Sequence, residues 1–171
     1  IRKCDETSSL VEDLFQHALS DMDRIAVVCE PVQAAPIVRR CARDSSGLAQ
    51  ISCLRVDDAH VEADEARLAQ AIDNLIGNAV KYARGSAIDI QATAENELYT
   101  IAVRDYGPGM PPEDLPFATE RFYRGANASD KPGSGLGLYI SSYLAERMGG
   151  RLRLANAHPG LKATIELPLL P

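Results

Sequence analysis

No apolar run in this sequence approaches the roughly 20 residues a helix needs to cross a bilayer, and no charged-then-apolar leader opens it. The four cysteines, Cys4, Cys29, Cys41 and Cys53, all fall in the first third and form no C-x-x-C pair. Zinc-type ligation needs close spacing or histidine partners, so reduced cytosolic thiols are expected instead. An excess of basic residues is also missing. The net charge of −6 argues against a surface built for nucleic acid or anionic lipid, although a local basic pocket can hide in an acidic total. The chain opens on Ile1 in place of Met, so a piece of a longer protein is expected. What is present is ordinary: 171 residues, 46% apolar and 25% charged, enough for one domain with a real core.

Hydrophobic period organises the chain. Leu10, Val11, Leu14, Phe15, Ala18, Leu19 and Met22 form a helical stripe over residues 7–22. Ile25–Cys29 reads as a strand, a helix follows Pro31 to about Arg43, and short strands are expected near Gln50–Leu54 and Ala59–Glu62. Asp64 caps a helix running to about Ala83, with Arg84-Gly85 closing it. Strands at Ala87–Ala94 and Leu98–Asp105 come next. The segment 106–134 is rich in Gly, Pro and polar residues without clear periodicity, the signature of a lid or linker. A helix from about Leu136 ends at Gly149-Gly150, and a hairpin pairs Arg151–Asn156 with Leu161–Leu167. This order predicts an α/β two-layer sandwich, a mixed sheet of about five strands with helices on one face.

On a wheel of about 100° per residue, Leu68, Ile72, Leu75, Ile76 and Ala79 share the core face of the helix at 64–83. Asn74, Asn78 and Lys81 share another face, with Tyr82 at its margin. Amide oxygens can ligate magnesium without adding negative charge beside a triphosphate, and a lysine supplies a point charge for a phosphate oxygen. A solvated face with two stray asparagines would read the same, but asparagine is a poor helix former and two in a helix interior are unusual.

Alternation in Tyr99–Asp105 sets Asp105 on the core side with Ile101 and Val103. A carboxylate there is costly unless it is satisfied, and an adenine ring with its exocyclic amine is a suitable partner. Gly107 and Gly109 let the backbone turn tightly beside it, though an ordinary Asp-x-Gly turn has the same composition. Further on, Gly133-Ser134-Gly135-Leu136-Gly137-Leu138 runs into a helix N-terminus, where free N–H groups can hold phosphate. It lacks the Gly-Lys-Ser/Thr of a Walker A loop and the spacing of a dinucleotide fingerprint, and a flexible hinge is the plainer alternative. Arg124, in Arg121-Phe122-Tyr123-Arg124, is a candidate for a terminal phosphate, with Phe122 as an anchor for the loop.

Taken in order, these segments resemble the boxes of sensor histidine kinases. Asn74-Leu75-Ile76-Gly77-Asn78-Ala79-Val80-Lys81-Tyr82 resembles the N box, Asp105-Tyr106-Gly107-Pro108-Gly109 the G1 box, Arg121–Arg124 the F box and Gly133–Leu138 the G2 box. The resemblance covers residues 25–171 and implies the Bergerat fold shared with gyrase, Hsp90 and MutL, with ATP under a flexible lid. It implies Asn74 and Asn78 at Mg2+ and the phosphates, Lys81 and Tyr82 on the phosphate side, and Asp105 on adenine with Gly107 and Gly109 shaping its pocket. Arg124, Gly133, Ser134, Gly135, Leu136 and Gly137 would form the lid and phosphate wall.

Two departures sharpen the expectation. The hydrolytic relatives carry a glutamate one turn before the N-box asparagine; Asn74 stands there, with no useful basicity, so ATP should be held and not hydrolysed. The acceptor motif, histidine followed by an acidic residue and a proline four residues on, is absent, since His17, His60 and His158 all lack it. Residues 1–24 are therefore expected to be the end of a dimerisation and phosphoacceptor helix, and residues 25–171 the catalytic domain. The resemblance implies a histidine kinase acting with its own phosphoacceptor domain and a response regulator, without nucleic acid or direct membrane contact. The parent would be a homodimeric phosphoprotein whose cytoplasmic domain belongs to an inner-membrane sensor. The alternative is a nucleotide-gated binding module or a degenerate kinase that regulates a partner.

Overall fold

A computed structural model describes residues 26–83, 85–124 and 135–171. The stripe at 7–22, with His17, lies outside them, as do Gly133 and Ser134.

The first strand, β1 (Glu30–Gln33), falls later than the expected Ile25–Cys29. It pairs antiparallel with β3 (His60–Ala63) from Glu30↔Ala63 to Gln33↔His60, a ribbon separate from the main sheet. Pro31 sits in this strand, where a two-stranded ribbon leaves one backbone edge without ladder bonds. Helix α1 (Ala34–Asp44) therefore starts after it, with Pro36 in the first turn, where a missing N–H costs nothing.

The main sheet contains β2 (Ile51–Val56), β4 (Ile88–Glu95), β5 (Leu98–Arg104), β6 (Arg151–Asn156) and β7 (Leu161–Pro168), in the order β2-β4-β5-β7-β6. β2 runs parallel to β4, and the remaining pairs are antiparallel. The sheet is mixed and five-stranded, as expected. Its inner face carries Ile88, Ile90 and Ala92 of β4, Tyr99, Ile101 and Val103 of β5, and Ala163, Ile165 and Leu167 of β7, all buried. Tyr99 is fully buried, yet its hydroxyl donates to the Asp57 carbonyl at 2.8 Å, so no polar atom is orphaned there. The opposite face presents Gln91, Thr93, Thr100, Thr164 and Glu166.

Helix α2 (Glu65–Tyr82) lies across the inner face and buries Leu68, Ala71, Ile72, Leu75, Ile76 and Ala79, the stripe the heptad-like spacing predicts. Asp64 caps it: its Oδ1 accepts the Arg67 N–H at 3.1 Å, and Oδ2 accepts the Val28 N–H at 3.1 Å, tying the strand region before β1 to the helix start. Helix α3 (Gly137–Arg147) packs beside α2, and the buried Ser141 hydroxyl donates to the Ala71 carbonyl at 3.1 Å across the pair. Among the described residues no helix is long and apolar enough to cross a membrane.

Within the segment expected to be a lid or linker, residues 111–123 are held by consecutive tight turns. Asp114 N–H donates to Pro111 O, Phe117 N–H to Asp114 O and Glu120 N–H to Phe117 O, with a 3-10 turn at Leu115–Phe117. Such i→i+3 turns have no hydrophobic period, so pattern alone does not reveal them.

Burial raises the energy of the Asp64 carboxylate, but the hydrogen bonds from Val28 and Arg67 outweigh it and hold its pKa below the usual carboxylate range. A depressed folded-state pKa stabilises the fold above the ordinary carboxylate range and loses that contribution as pH falls through the folded value. Asp64→Ala should therefore cost about 1 kcal/mol at neutral pH. In urea unfolding the gap between wild type and variant should close below about pH 4.

Candidate functional site

The C-terminal half of α2, the ends of β5 and β7, the start of α3 and the turns of 109–124 enclose a cavity of about 270 Å³. That is near the lower end of small-molecule pockets, about 300–1,000 Å³, and is compatible with a nucleobase or similar flat group. α2 supplies Asn78, Lys81 and Tyr82 to one wall, with Leu75 and Ala79 as its apolar floor. The same helix thus buries one stripe in the core and turns the adjacent one into the cavity.

Asp105 stands just past the end of β5, 4% exposed, and lines the cavity. Its Oδ1 accepts the Gly107 N–H at 2.8 Å and the Leu161 N–H at 3.3 Å, while its own N–H donates to Leu161 O at 3.0 Å. No hydrogen bond reaches Oδ2 among the described residues. A carboxylate oxygen left without a protein donor in a cavity lining can accept one from a ligand, and the exposed amine edge of a base is such a donor.

Backbone proximity defines this corner. A Cβ on Gly107 would lie 2.2 Å from the Tyr82 carbonyl oxygen, so the loop passes directly under the end of α2. A Cβ on Gly160 would lie 1.8 Å from the Asp105 carbonyl oxygen, at a φ of 90° that disfavours side chains in any case. The next contact is made by Asn156, which grips Met110 twice: Met110 N–H donates to Oδ1 at 2.9 Å, and Nδ2 donates to Met110 O at 2.7 Å. Asn156 and Gly160 lack any local sequence signal for this role, because their partners lie 46 or more residues away and they read only as a hairpin turn.

Of the residues singled out from sequence, Asn78, Lys81, Tyr82, Asp105, Gly109, Arg124, Gly135 and Gly137 all line the one cavity. Gly107 and Leu136 stand beside it in the chain without lining it. Asn74 also lies off the lining, one turn before Asn78, and its Nδ2 is buried with no hydrogen-bond partner among the described residues. Phe122, expected to anchor the loop, is 40% exposed. The packed side chain is its neighbour Tyr123, whose ring centroid is 6.0 Å from that of Phe117 and whose hydroxyl donates to Asp114. Met110, Asp114 and Tyr123 are lining residues the sequence did not point to.

The charge layout is mixed. Among the described lining residues, Asp105 and Asp114 face Lys81 and Arg124. Asp73 lies elsewhere: it interacts with Cys41 of α1, whose thiol is pushed up to about 12 by burial first and then by the Asp73 charge. No group of three or more His, Cys, Asp or Glu able to hold a metal occurs among the described residues. A cation here would have to be shared with a ligand that brings its own oxygens, as magnesium is with phosphates.

An α/β sandwich with an apolar-floored cavity lined by a buried carboxylate and by cationic side chains defines a nucleotide-binding domain. Residues 63–171 match the family model described as histidine kinase-, DNA gyrase B-, and HSP90-like ATPase, and the chain belongs to that family. Its relatives include the signal transduction histidine-protein kinase AfsQ2 of Streptomyces coelicolor, 32% identical over 96% of this chain. They also include the histidine-protein kinase/phosphatase MprB of Mycolicibacterium smegmatis, 34% identical over 94%. The chain spans 31% and 33% of those two proteins. Among solved structures, the mycobacterial sensor histidine kinase MprB superposes with a TM-score of 0.74 at 28% identity, covering 84% of this chain and 99% of that one. ShkA, solved in full length with AMPPNP, gives 0.73 at 29%, covering 85% of this chain and 32% of that one.

Two glycine substitutions should separate the corner from the helix. Gly160→Ala should destabilise by about 3 kcal/mol or more, because backbone would have to move. Gly77→Ala, in the interior of α2 with nothing within 4 Å of the new methyl, should stabilise by about 0.5–1 kcal/mol. Urea midpoints at constant m value would read both.

Proposed function

We propose that this domain binds Mg-ATP and presents the terminal phosphate to a histidine in a separate helical domain, as the catalytic part of a sensor histidine kinase. The observation that carries the reading is that Asp105, Asn78, Lys81 and Arg124, which lie far apart in the chain, line one cavity.

Asp105 is suited to the exocyclic amine of adenine. Its Oδ1 is already engaged by two backbone N–H groups, which orient the carboxylate and leave Oδ2 for the base. Lys81 and Arg124 offset phosphate charge. Asn78, a neutral oxygen donor in the lining, would hold magnesium together with the phosphates. Asn74, one turn before Asn78, lies off the lining with a buried amide nitrogen that has no partner among the described residues, so the phosphate and magnesium contacts in this reading fall to the residues of the lining. Magnesium, when bound, supplies charge neutralisation on the transferring phosphoryl group. Phosphoryl transfer depends chiefly on positioning and charge, so the domain needs no covalent nucleophile of its own.

In this reading no described residue is assigned as a base for water. Asn74 precedes Asn78 by one turn, and the carboxylate of Asp73 is engaged at Cys41. ATP is therefore held until an acceptor docks. In this reading residues 1–24 belong to the dimerisation and phosphoacceptor helix, residues 25–171 form the catalytic domain, and a response regulator receives the phosphoryl group. The domain then works in the cytoplasm as part of a dimeric sensor.

Titration calorimetry should show magnesium-dependent ATP binding. Asn78→Ala should remove the magnesium dependence, and Asp105→Asn should weaken ATP by about tenfold or more, the loss expected when a charged acceptor is exchanged for an amide. Retained binding in both variants would sink the site assignment. The chain alone should turn over ATP negligibly, and with a separately expressed phosphoacceptor domain it should yield phosphohistidine. Binding without any transfer would favour a nucleotide-gated module instead.

A further inference from the structure

Arg124 reaches the cavity from a backbone that is not relaxed. Two residues before it, Phe122 has a φ of 61°, a left-handed conformation that bulky L-residues seldom adopt. Phe122 is 40% exposed, so its conformation is not fixed by full burial. Conformations of this kind persist only when their surroundings over-determine them.

The surroundings do so from two sides. The Tyr123 hydroxyl donates to Asp114 Oδ1 at 2.5 Å, and Asp114 is only 8% exposed. Asp114 is itself fixed in a turn, its N–H donating to Pro111 O at 2.9 Å, and the Tyr123 ring packs against Phe117. On the other side Gly135 presses on the same stretch. A Cβ there would lie 2.9 Å from both the Phe122 carbonyl carbon and the Tyr123 carbonyl oxygen.

We propose that the Tyr123–Asp114 pair is a positioning element that fixes the backbone at 122–124 and so aims Arg124 at the terminal phosphate. The inference rests on the Mg-ATP reading above. Without the hydroxyl, Phe122 can return to an ordinary φ, and that rotation redirects the Arg124 side chain. The bond to Asp114, with burial second, pushes the Tyr123 hydroxyl up to about 12, so it remains a donor throughout the neutral range. Tyr123 and Asp114 act through Arg124, and neither is assigned a step of its own.

The discriminating quantity is the ratio of ADP to ATP dissociation constants, because damage common to both nucleotides cancels in it. Arg124→Ala should lower this ratio by about tenfold or more, the size expected for a charge-assisted contact to one extra phosphate. Tyr123→Phe, which keeps the ring and its packing, should lower it by a like factor. Added to Arg124→Ala, it should lower it no further, because both changes remove one coupled unit. Asp114→Ala should behave as Tyr123→Phe does, and Asp114→Asn, which retains an acceptor oxygen, should restore most of the ratio. If Tyr123→Phe keeps the wild-type ratio while Arg124→Ala loses it, or if the two effects multiply, the positioning role is wrong and the Mg-ATP reading survives. If the wild-type chain does not bind ATP, or Arg124→Ala leaves the ratio unchanged, the phosphate assignment fails and the inference falls with it.

Discussion

Asp105 donates its backbone N–H to the Leu161 carbonyl and accepts the Leu161 N–H on its carboxylate, and most of the site is built outward from that two-bond junction. It joins the end of β5 to the start of β7, the two central strands whose ladder runs from Leu98↔Pro168 to Arg104↔Lys162. The glycines on either side are required by how closely chains pass there: Gly107 under the Tyr82 carbonyl, Gly160 over the Asp105 carbonyl. A buried carboxylate is costly unless it is satisfied, and here two backbone N–H groups meet half of the requirement. What remains is a single acceptor directed to the cavity.

Helix α2 is the second constraint. Its apolar stripe fixes its rotation against the sheet, and that rotation determines where every other face points. Asn78, Lys81 and Tyr82 line the cavity because Leu68, Ile72, Leu75 and Ile76 are buried. Asp73, one residue from Asn74, is carried round to Cys41 for the same reason.

Much of this was legible in order along the chain. The capping aspartate, the apolar stripe of α2, the alternation of β4 and β5 and the glycine turns after Asp105 are local patterns, and each appears within a residue or two of its expected place. The errors have physical causes. Pro31 looked like a helix start and proved to be part of an edge ribbon, because proline suits both settings and only the pairing with β3 decides between them. The turns of 111–124 were invisible because 3-10 turns carry no hydrophobic period. Tyr123 drew no attention in the sequence, because the buried acceptor of its hydroxyl lies nine residues back.

By itself the sequence determined the elements, the core face of each and the chemical types available to a nucleotide, because helix and strand periods act over a few neighbours. Only the tertiary structure decided which of those types meet. Asn156 gripping Met110, Gly160 making room for Asp105, and Tyr123 bonded to Asp114 beside Arg124 depend on where separate segments are brought when the sheet and helices close on one core. Short-range pattern cannot encode such contacts, since no local energy links their partners until long-range burial has placed them together.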